Sequence, residues 1–272
     1  MKVLKNINVL KRAISTISNL GFVPTMGGLH LGHISLIKKS QKKCRKTLVS
    51  IYVNPKQFNN KSDFSVYPRN IKKDLILLKK LKVDYVFIPI TKDIYSIKIT
   101  KKIKLHNYQK ILCGKFRKDH FEGVLEIMHR LVILIQPKYI FMGEKDFQQL
   151  HLVKSFIKDT YPSKIYPCKT IRDKNKVALS SRNNLLSKKD LNKAGLIAKI
   201  LHKIRSSVKK KLLTNAYLNH LKKYLSNKFK IKIEYLEIRS EKNLKKNFDQ
   251  NKYRLFIAYY INNIRLIDNF WL

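Results

Sequence analysis

Val23-Pro24-Thr25-Met26-Gly27-Gly28-Leu29-His30-Leu31-Gly32-His33 is the stretch that decides the fold. The run Leu20 to Val23 has the short apolar character of a buried strand, and Pro24 is expected to end it before a Gly27-Gly28 turn. From about Gly32 a helical period takes over, with Ile34, Leu36 and Ile37 on an apolar side and Lys38 and Lys39 on a wet one. Strand, glycine turn and helix N-terminus in that order are where an open α/β sheet receives a nucleotide. Glycine lets backbone N–H groups come close to an anion, and the positive end of the helix dipole favours negative charge there. His30 and His33 lie on nearly one side of the first helical turn, so both rings reach oxygens of a single polyphosphate. They donate best where charge develops on phosphorus. Taken alone, His-x-x-His also fits a surface coincidence or half of a metal site. A metal would want further His, Cys or carboxylate ligands nearby, and none follows before Cys44.

Other strand ends repeat the theme. Thr47 to Val53 is β-branched and apolar, as a buried parallel strand should be, and it runs into Asn54-Pro55-Lys56-Gln57. If that strand neighbours the first, the Asn54 and Gln57 amides fall beside the histidines, with uncharged donors and acceptors for a small polar substrate. An Asn-Pro amide that merely caps a turn is the commoner case. Tyr139 to Met142 leads into Gly143-Glu144-Lys145-Asp146, which offers a lysine for phosphate and a carboxylate for a ribose hydroxyl or a magnesium ion. Gln149 follows within one helical turn and faces the same mouth. In Leu179-Ser180-Ser181-Arg182-Asn183, two hydroxyls and a guanidinium can grip a pyrophosphate, the arginine with two bonds at once.

Between these points the pattern predicts one short helix over residues 1 to 18, a helix from Ile71 to Leu81 and a strand from Asp84 to Pro89. Ile94 to Leu105 reads as an exposed strand or a mobile connection, and Leu112 to Gly123 as a loop whose Arg117 and His120 are candidate phosphate or carboxylate contacts. A helix from about Val124 to Leu134 precedes the Tyr139 strand. The fold class that follows is α/β: a Rossmann-like, doubly wound parallel sheet domain over residues 1–175, then a smaller C-terminal α+β domain over 176–272.

The three cysteines, Cys44, Cys113 and Cys168, are far apart and odd in number, which argues for a reducing compartment and against a disulfide framework or zinc ribbon. With no apolar run of membrane length and no signal-peptide pattern, a soluble cytoplasmic protein is expected. The oddity is charge, since 59 Lys plus Arg against 17 Asp plus Glu give a formal +42. A polyanion partner is one explanation. The lysines, however, are spread through every element instead of forming a stripe, so a compositional drift of the surface is favoured, with nucleic-acid binding at most nonspecific.

The chain resembles pantothenate synthetases in six blocks: MGGLHLGH at 26–33, VNPKQF at 53–58, YPR at 67–69, HFEGV at 120–124, FMGEKDFQQL at 141–150 and ALSSRN at 178–183. His-x-Gly-His alone is shared with class I aminoacyl-tRNA synthetases and nucleotidyltransferases, whereas the six together in order are far more specific. The resemblance implies an ATP-dependent ligase in which the pantoate carboxylate attacks the α-phosphate, giving pantoyl adenylate and pyrophosphate. The β-alanine amine then displaces AMP. By that resemblance Met26, Gly27, Gly28, Leu29, His30, Leu31, Gly32 and His33 line the ATP site with Gly143, Glu144, Lys145 and Asp146, Gly143 and Asp146 lying toward the ribose. It implies further that Ile171 touches adenine through its backbone and that Leu179, Ser180, Ser181 and Arg182 cover the phosphates. Gln57 and Gln149 would hold pantoate, with Gln57 also bordering β-alanine and Asn54 close by. His33, His30, Lys145 and Arg182 are the implied catalytic groups, Mg2+ arrives with the phosphates, the second domain closes as a lid, and the enzyme is a homodimer.

Two departures from the family pattern are Leu31, where a polar or acidic residue is usual, and Lys118-Asp119, where Pro-Gly usually precedes His120. A nucleotidyltransferase with another acceptor would want aromatic or cationic groups in place of Asn54, Gln57 and Gln149. A nonenzymatic RNA-binding protein would want concentrated basic stripes interleaved with aromatics.

Overall fold

Strands buried on both faces need unbroken apolar runs, and Leu20–Thr25 (β2), Lys46–Ile51 (β3) and Tyr139–Gly143 (β5) supply them. A computed structural model describes residues 1–59, 61–99, 103–207, 214–246 and 252–272. Packing divides them into two units, Met1–Lys169 and Thr170–Leu272.

In the first unit β1 (Lys2–Leu4), β4 (Tyr85–Phe87) and β6 (Lys164–Cys168) complete a six-stranded sheet, ordered β1-β4-β3-β2-β5-β6. Every pairing in it is parallel. From β2 the chain winds outward through β3 and β4, then returns to the other side of β2 for β5 and β6. The reversal therefore falls between β2 and β5, where a doubly wound sheet opens a crevice at its carboxyl edge. Helices α1 (Ile7–Ile14), α2 (Leu31–Lys43), α3 (Lys61–Ser65), α4 (Ile71–Lys80), α5 (Thr91–Ser96), α6 (Cys113–Phe116), α7 (His120–Ile135) and α8 (Phe147–Thr160) connect the strands. Helix α2 lies hard against β2, since a Cβ on Gly21 would sit 2.2 Å from Ser40 Oγ and 2.9 Å from Cys44 Sγ. Val23, Ile37, Val49, Leu78, Val86 and Phe141, all fully buried, form part of the core beneath that crevice.

Four expectations need correction. Residues 1 to 18 are not one helix: Lys2–Leu4 pair with β4, and Asn6, whose Oδ1 accepts the Val9 N–H at 2.9 Å, starts α1 afresh. Pro24 does not end β2. Pairing with β5 stops at Phe22 while pairing with β3 runs on through Thr25, so on one side the missing N–H costs no ladder bond. Ile94 is neither exposed nor in a strand but fully buried in α5, where Arg130 Nη1 donates to its carbonyl, so tertiary contact overrides β-branched propensity; residues 100–102 of that stretch lie outside the described residues. The loop expected over Leu112 to Gly123 contains α6 and the first turn of α7, which starts at His120 and not at Val124.

The second unit pairs β7 (Lys232–Ser240), β8 (Tyr253–Ile261) and β9 (Ile264–Trp271) as an antiparallel sheet in the order β7-β8-β9. With α9 (Lys188–Ser207) and α10 (Asn215–Phe229) it shares a separate core that includes Ile197, Leu201, Leu225, Leu255 and Ile257. Among the described residues no helix is long and apolar enough to cross a membrane.

Candidate active site

The glycine turn is built as expected and used differently. Gly27 and Gly28 have φ of 81° and 62°, a backbone that L side chains avoid. Their N–H groups do not wait for a phosphate, however. Gly28 and Leu29 donate to Asp74 Oδ2 and Oδ1, each at 2.9 Å, and Gly27 donates to Thr25 Oγ1 at 3.2 Å. The anion at the turn is thus the protein's own carboxylate, delivered from α4 and 4% exposed. The sequence reading missed Asp74. Its signal was a lone acid one helical turn from buried Leu78, on the apolar stripe of a helix otherwise charged only by lysine.

The two histidines cap their own helix. His30 Nδ1 accepts the Gly32 N–H at 3.1 Å, and His33 Nδ1 accepts the His30 N–H at 3.3 Å, a reciprocal box with imidazoles in place of the usual hydroxyl and carboxylate. Gly32 is required here because a Cβ would lie 2.7 Å from His30 Cε1. A nitrogen that accepts carries no proton, so each neutral ring keeps its hydrogen on Nε2. The electrostatics agree. Burial, then the charge of Lys145, outweighs Asp146 and lowers the His30 pKa to about 4. Burial, then His30, then Lys145, against an upward pull from Asp146, lowers His33 to about 3. The site therefore offers two uncharged Nε2–H donors, with rings 4.1 Å apart. Met26 precedes the turn half-buried, while Leu31 is 64% exposed and points its side chain away from the packed protein.

The end of β5 lies beside that of β2, close enough for Lys145 and Asp146 to act on both rings. Lys145 Nζ stands 3.4 Å from Asp146 Oδ1, and Glu144, Lys145 and Asp146 form one 3-10 turn. A Cβ on Gly143 would meet nothing within 4 Å, so the backbone there faces open space. Gln149, in the first turn of α8, is partly exposed. Its neighbour Gln148 points inward and donates to the Ile111 and Gln109 carbonyls at 2.7 and 3.2 Å. Among the described residues no three His, Cys, Asp or Glu side chains gather as a metal would need.

At the end of β3 the two amides have different fates. Asn54 is 1% exposed and committed to protein: Oδ1 accepts from Tyr95 Oη at 2.8 Å and Lys56 N at 3.3 Å, and Nδ2 donates to the Gly123 carbonyl at 3.1 Å. This is the turn-capping alternative: the Asn54 side chain supports the loop that carries Gln57. Gln57 is partly exposed beside it. Arg117 and His120, expected as anion contacts, both bond to the main-chain carbonyl of Gln57.

Leu179-Ser180-Ser181-Arg182 belongs to the second unit. Ser180 Oγ accepts the Arg182 N–H at 3.3 Å and so caps the 3-10 turn Ser181–Leu185. Ile171 lies upstream, its carbonyl accepting from Leu179 N at 3.0 Å, next to a bridge between Arg172 and Ala178. Arg172, which sequence reading passed over, anchors this hairpin to β9 through bonds of 2.7 and 2.8 Å to the two carboxylate oxygens of Asp268.

The family model described as pantoate-beta-alanine ligase matches residues 2–271. The pantothenate synthetase of Flavobacterium psychrophilum is 38% identical over 270 residues, covering 96% of this chain and 94% of the relative. That of Endomicrobium trichonymphae is 39% identical, covering 99% and 97%. Among solved structures, the pantoate-beta-alanine ligase of Francisella tularensis, complexed with beta-gamma ATP and beta-alanine, superposes with a TM-score of 0.85 at 36% identity and covers 99% of this chain and 97% of its own. Pantothenate synthetase from Thermus thermophilus gives 0.90 at 29% identity, covering 99% of both chains.

Proposed function

The chain belongs to the pantoate-beta-alanine ligase family, and from that premise we propose how its residues divide the work. The enzyme is an ATP-dependent ligase that condenses pantoate with β-alanine through pantoyl adenylate, releasing AMP and pyrophosphate.

A carboxylate attacking the α-phosphate meets a polyanion, so the site must neutralise charge without supplying a competing nucleophile. In our assignment the Nε2–H groups of His30 and His33 donate to phosphate oxygens as charge develops there, and Lys145 supplies the full positive charge. The Met26–His33 segment walls the ATP site. Gly143, open on its Cα face, and Asp146 receive the ribose, with Glu144 flanking them. Because the Ile171 carbonyl already accepts from Leu179, its N–H is our choice for adenine. Ser180, Ser181 and Arg182 hold the pyrophosphate, with residues 176–272 serving as a lid that keeps water from the labile adenylate. Gln57 and Gln149 hold pantoate, and Gln57 borders β-alanine. Magnesium would come with the nucleotide, taking its ligands from water and the phosphate oxygens and leaving Asp146 to the ribose. When bound, it neutralises phosphate charge. We further propose a homodimer working in the reducing cytoplasm, consistent with three buried cysteines, none of them in a disulfide among the described residues.

The observation that carries this assignment is the pair of neutral imidazole donors within electrostatic reach of Lys145. Purified protein with ATP and magnesium should sustain AMP and pyrophosphate release only with both pantoate and β-alanine present. ADP formation, or equal AMP release with unrelated acids, overturns the activity. His33→Ala and Lys145→Ala should each slow adenylate formation by roughly 10²-fold or more with the fold intact, and full activity in either would overturn the site map.

A further inference from the structure

The loop that carries Gln57 is seated on a single stripe of α7. His120, Gly123 and Glu126, spaced three apart, lie along one side of that helix, and each meets the segment Asn54 to Gln57. The Gln57 carbonyl receives two donors, a His120 ring nitrogen (Nδ1) at 2.8 Å and Arg117 Nη2 at 3.2 Å. Arg117 Nη1 stands 2.8 Å from His120 Nε2. A guanidinium only donates and a carbonyl only accepts, so His120 is fixed as the neutral Nδ1–H form, the tautomer opposite to that of His30 and His33. Gly123 has no side chain to spare: a Cβ would sit 2.4 Å from the Lys56 carbonyl oxygen, 2.8 Å from its carbon and 3.2 Å from Gln57 N. All three are backbone atoms, which cannot swing aside. Lys56 Nζ meets Glu126 at 3.0 and 3.1 Å one turn further along. Among the described residues these bonds fall on the main chain of Gln57 and on its neighbours, leaving its side-chain amide for another task.

We propose that Arg117, His120 and Gly123 are positioning residues for the acid substrate, fixing the main chain at Gln57 so that its side-chain amide is presented to pantoate. The inference rests on the reading of Gln57 as a pantoate contact. It also gives Arg117 and His120 a role that needs no contact with phosphate or carboxylate, and it explains why the residue after Phe121-Glu122 is glycine inside a helix.

The test uses the full-length enzyme and initial rates with each substrate varied in turn. Gly123→Ala should raise the KM for pantoate roughly tenfold or more while leaving the KM for ATP within about twofold, because a displacement near 1 Å suffices to spoil alignment. His120→Leu, which loses both ring nitrogens, should do the same, and His120→Gln, whose amide still donates to a carbonyl, should recover part of the loss. These two carry the test if Gly123→Ala fails to fold. In a Gln57→Ala background neither Gly123→Ala nor His120→Leu should add a further loss in pantoate KM. Equal losses for ATP and pantoate, or full additivity on Gln57→Ala, would overturn the positioning role while leaving Gln57 as a substrate contact. Should Gln57→Ala alone leave pantoate kinetics unchanged, the reading of Gln57 falls and the inference falls with it.

Discussion

Protonating Nδ1 of His30 or His33 removes an acceptor from a backbone N–H at the same moment as it adds charge beside Lys145, and both effects oppose it. With pKa values of about 4 and about 3 against 6.5 for a free histidine, both rings stay neutral across the working range. Adenylate formation should therefore show no inflection near 6.5 from either ring, declining only as pH approaches 4; a pH profile of ATP–pyrophosphate exchange checks this. The same shifts bear on stability. Below 6.5 the unfolded chain binds protons that the native rings refuse, so the contribution is complete above 6.5 and is lost as pH falls toward 4 and then 3. Urea midpoints of His33→Asn should vary less with pH over that window than those of the parent. Asp74 makes a second residue-level case. In Asp74→Asn one carboxylate oxygen becomes an NH2 group facing an N–H, so the turn should lose about 1–3 kcal/mol, measured by urea unfolding, together with weaker ATP binding. Unchanged stability and unchanged KM for ATP would show that the carboxylate does not set the turn.

At the level of the element, α2 begins where it does because His30 and His33 cap it, and in our assignment the same two rings meet the nucleotide. His30 can fold over the first turn only while position 32 lacks a Cβ. Gly32→Ala should push the ring off its cap, costing about 1 kcal/mol of stability and a much larger share of adenylation rate, whereas Leu31→Ala at the exposed neighbouring position, which leaves the imidazole box intact, should slow adenylation far less than Gly32→Ala. Thermal unfolding and single-turnover adenylate formation separate the two expectations. Comparable activity loss in both variants would mean that the helix start, and not the imidazole box, governs the chemistry. The other end of the same helix shows the matching constraint: Gly21 lets α2 press on β2, with Ser40 Oγ 2.9 Å from Thr47 Oγ1 on the next strand.

Across the whole molecule, a formal +42 sits on a fold whose acids are placed with economy. Asp74 holds the glycine turn, Asp84 binds Lys46 and the Thr47 N–H, Glu126 joins Arg130 and Lys56, Glu234 binds Arg265 and Tyr260, and Asp268 holds Arg172. The acids that remain include those that tie segments together, while lysine fills solvated faces. Such a surface attracts polyanions without selecting among them. Binding to arbitrary RNA should be measurable at about 50 mM salt, fall by orders of magnitude by about 200 mM, and leave turnover untouched in fluorescence and activity titrations run together. RNA that stays bound at the higher salt, or that alters kcat, would point to a dedicated partner.

Much of the fold was legible because its causes are local. Apolar runs announce strands, glycine pairs announce turns, and the spacing of His30, Gly32 and His33 marks a helix start that any neighbouring sheet would have to accommodate. The blocks at strand ends likewise carried the family and the groups we propose to handle phosphate. The sequence by itself could not say which of those groups face ligand and which face protein. Asp74 lies 46 residues from Gly28, His120 lies 63 from the Gln57 carbonyl, and Asn54 lies 69 from Gly123, so none of these bonds leaves a periodic trace along the chain. Hydrogen-bond partners are chosen by what packing brings within about 3 Å. Only the tertiary structure could therefore turn Asn54 inward, give the glycine turn an anion of its own, and set the protons on Nε2 of two histidines and on Nδ1 of a third.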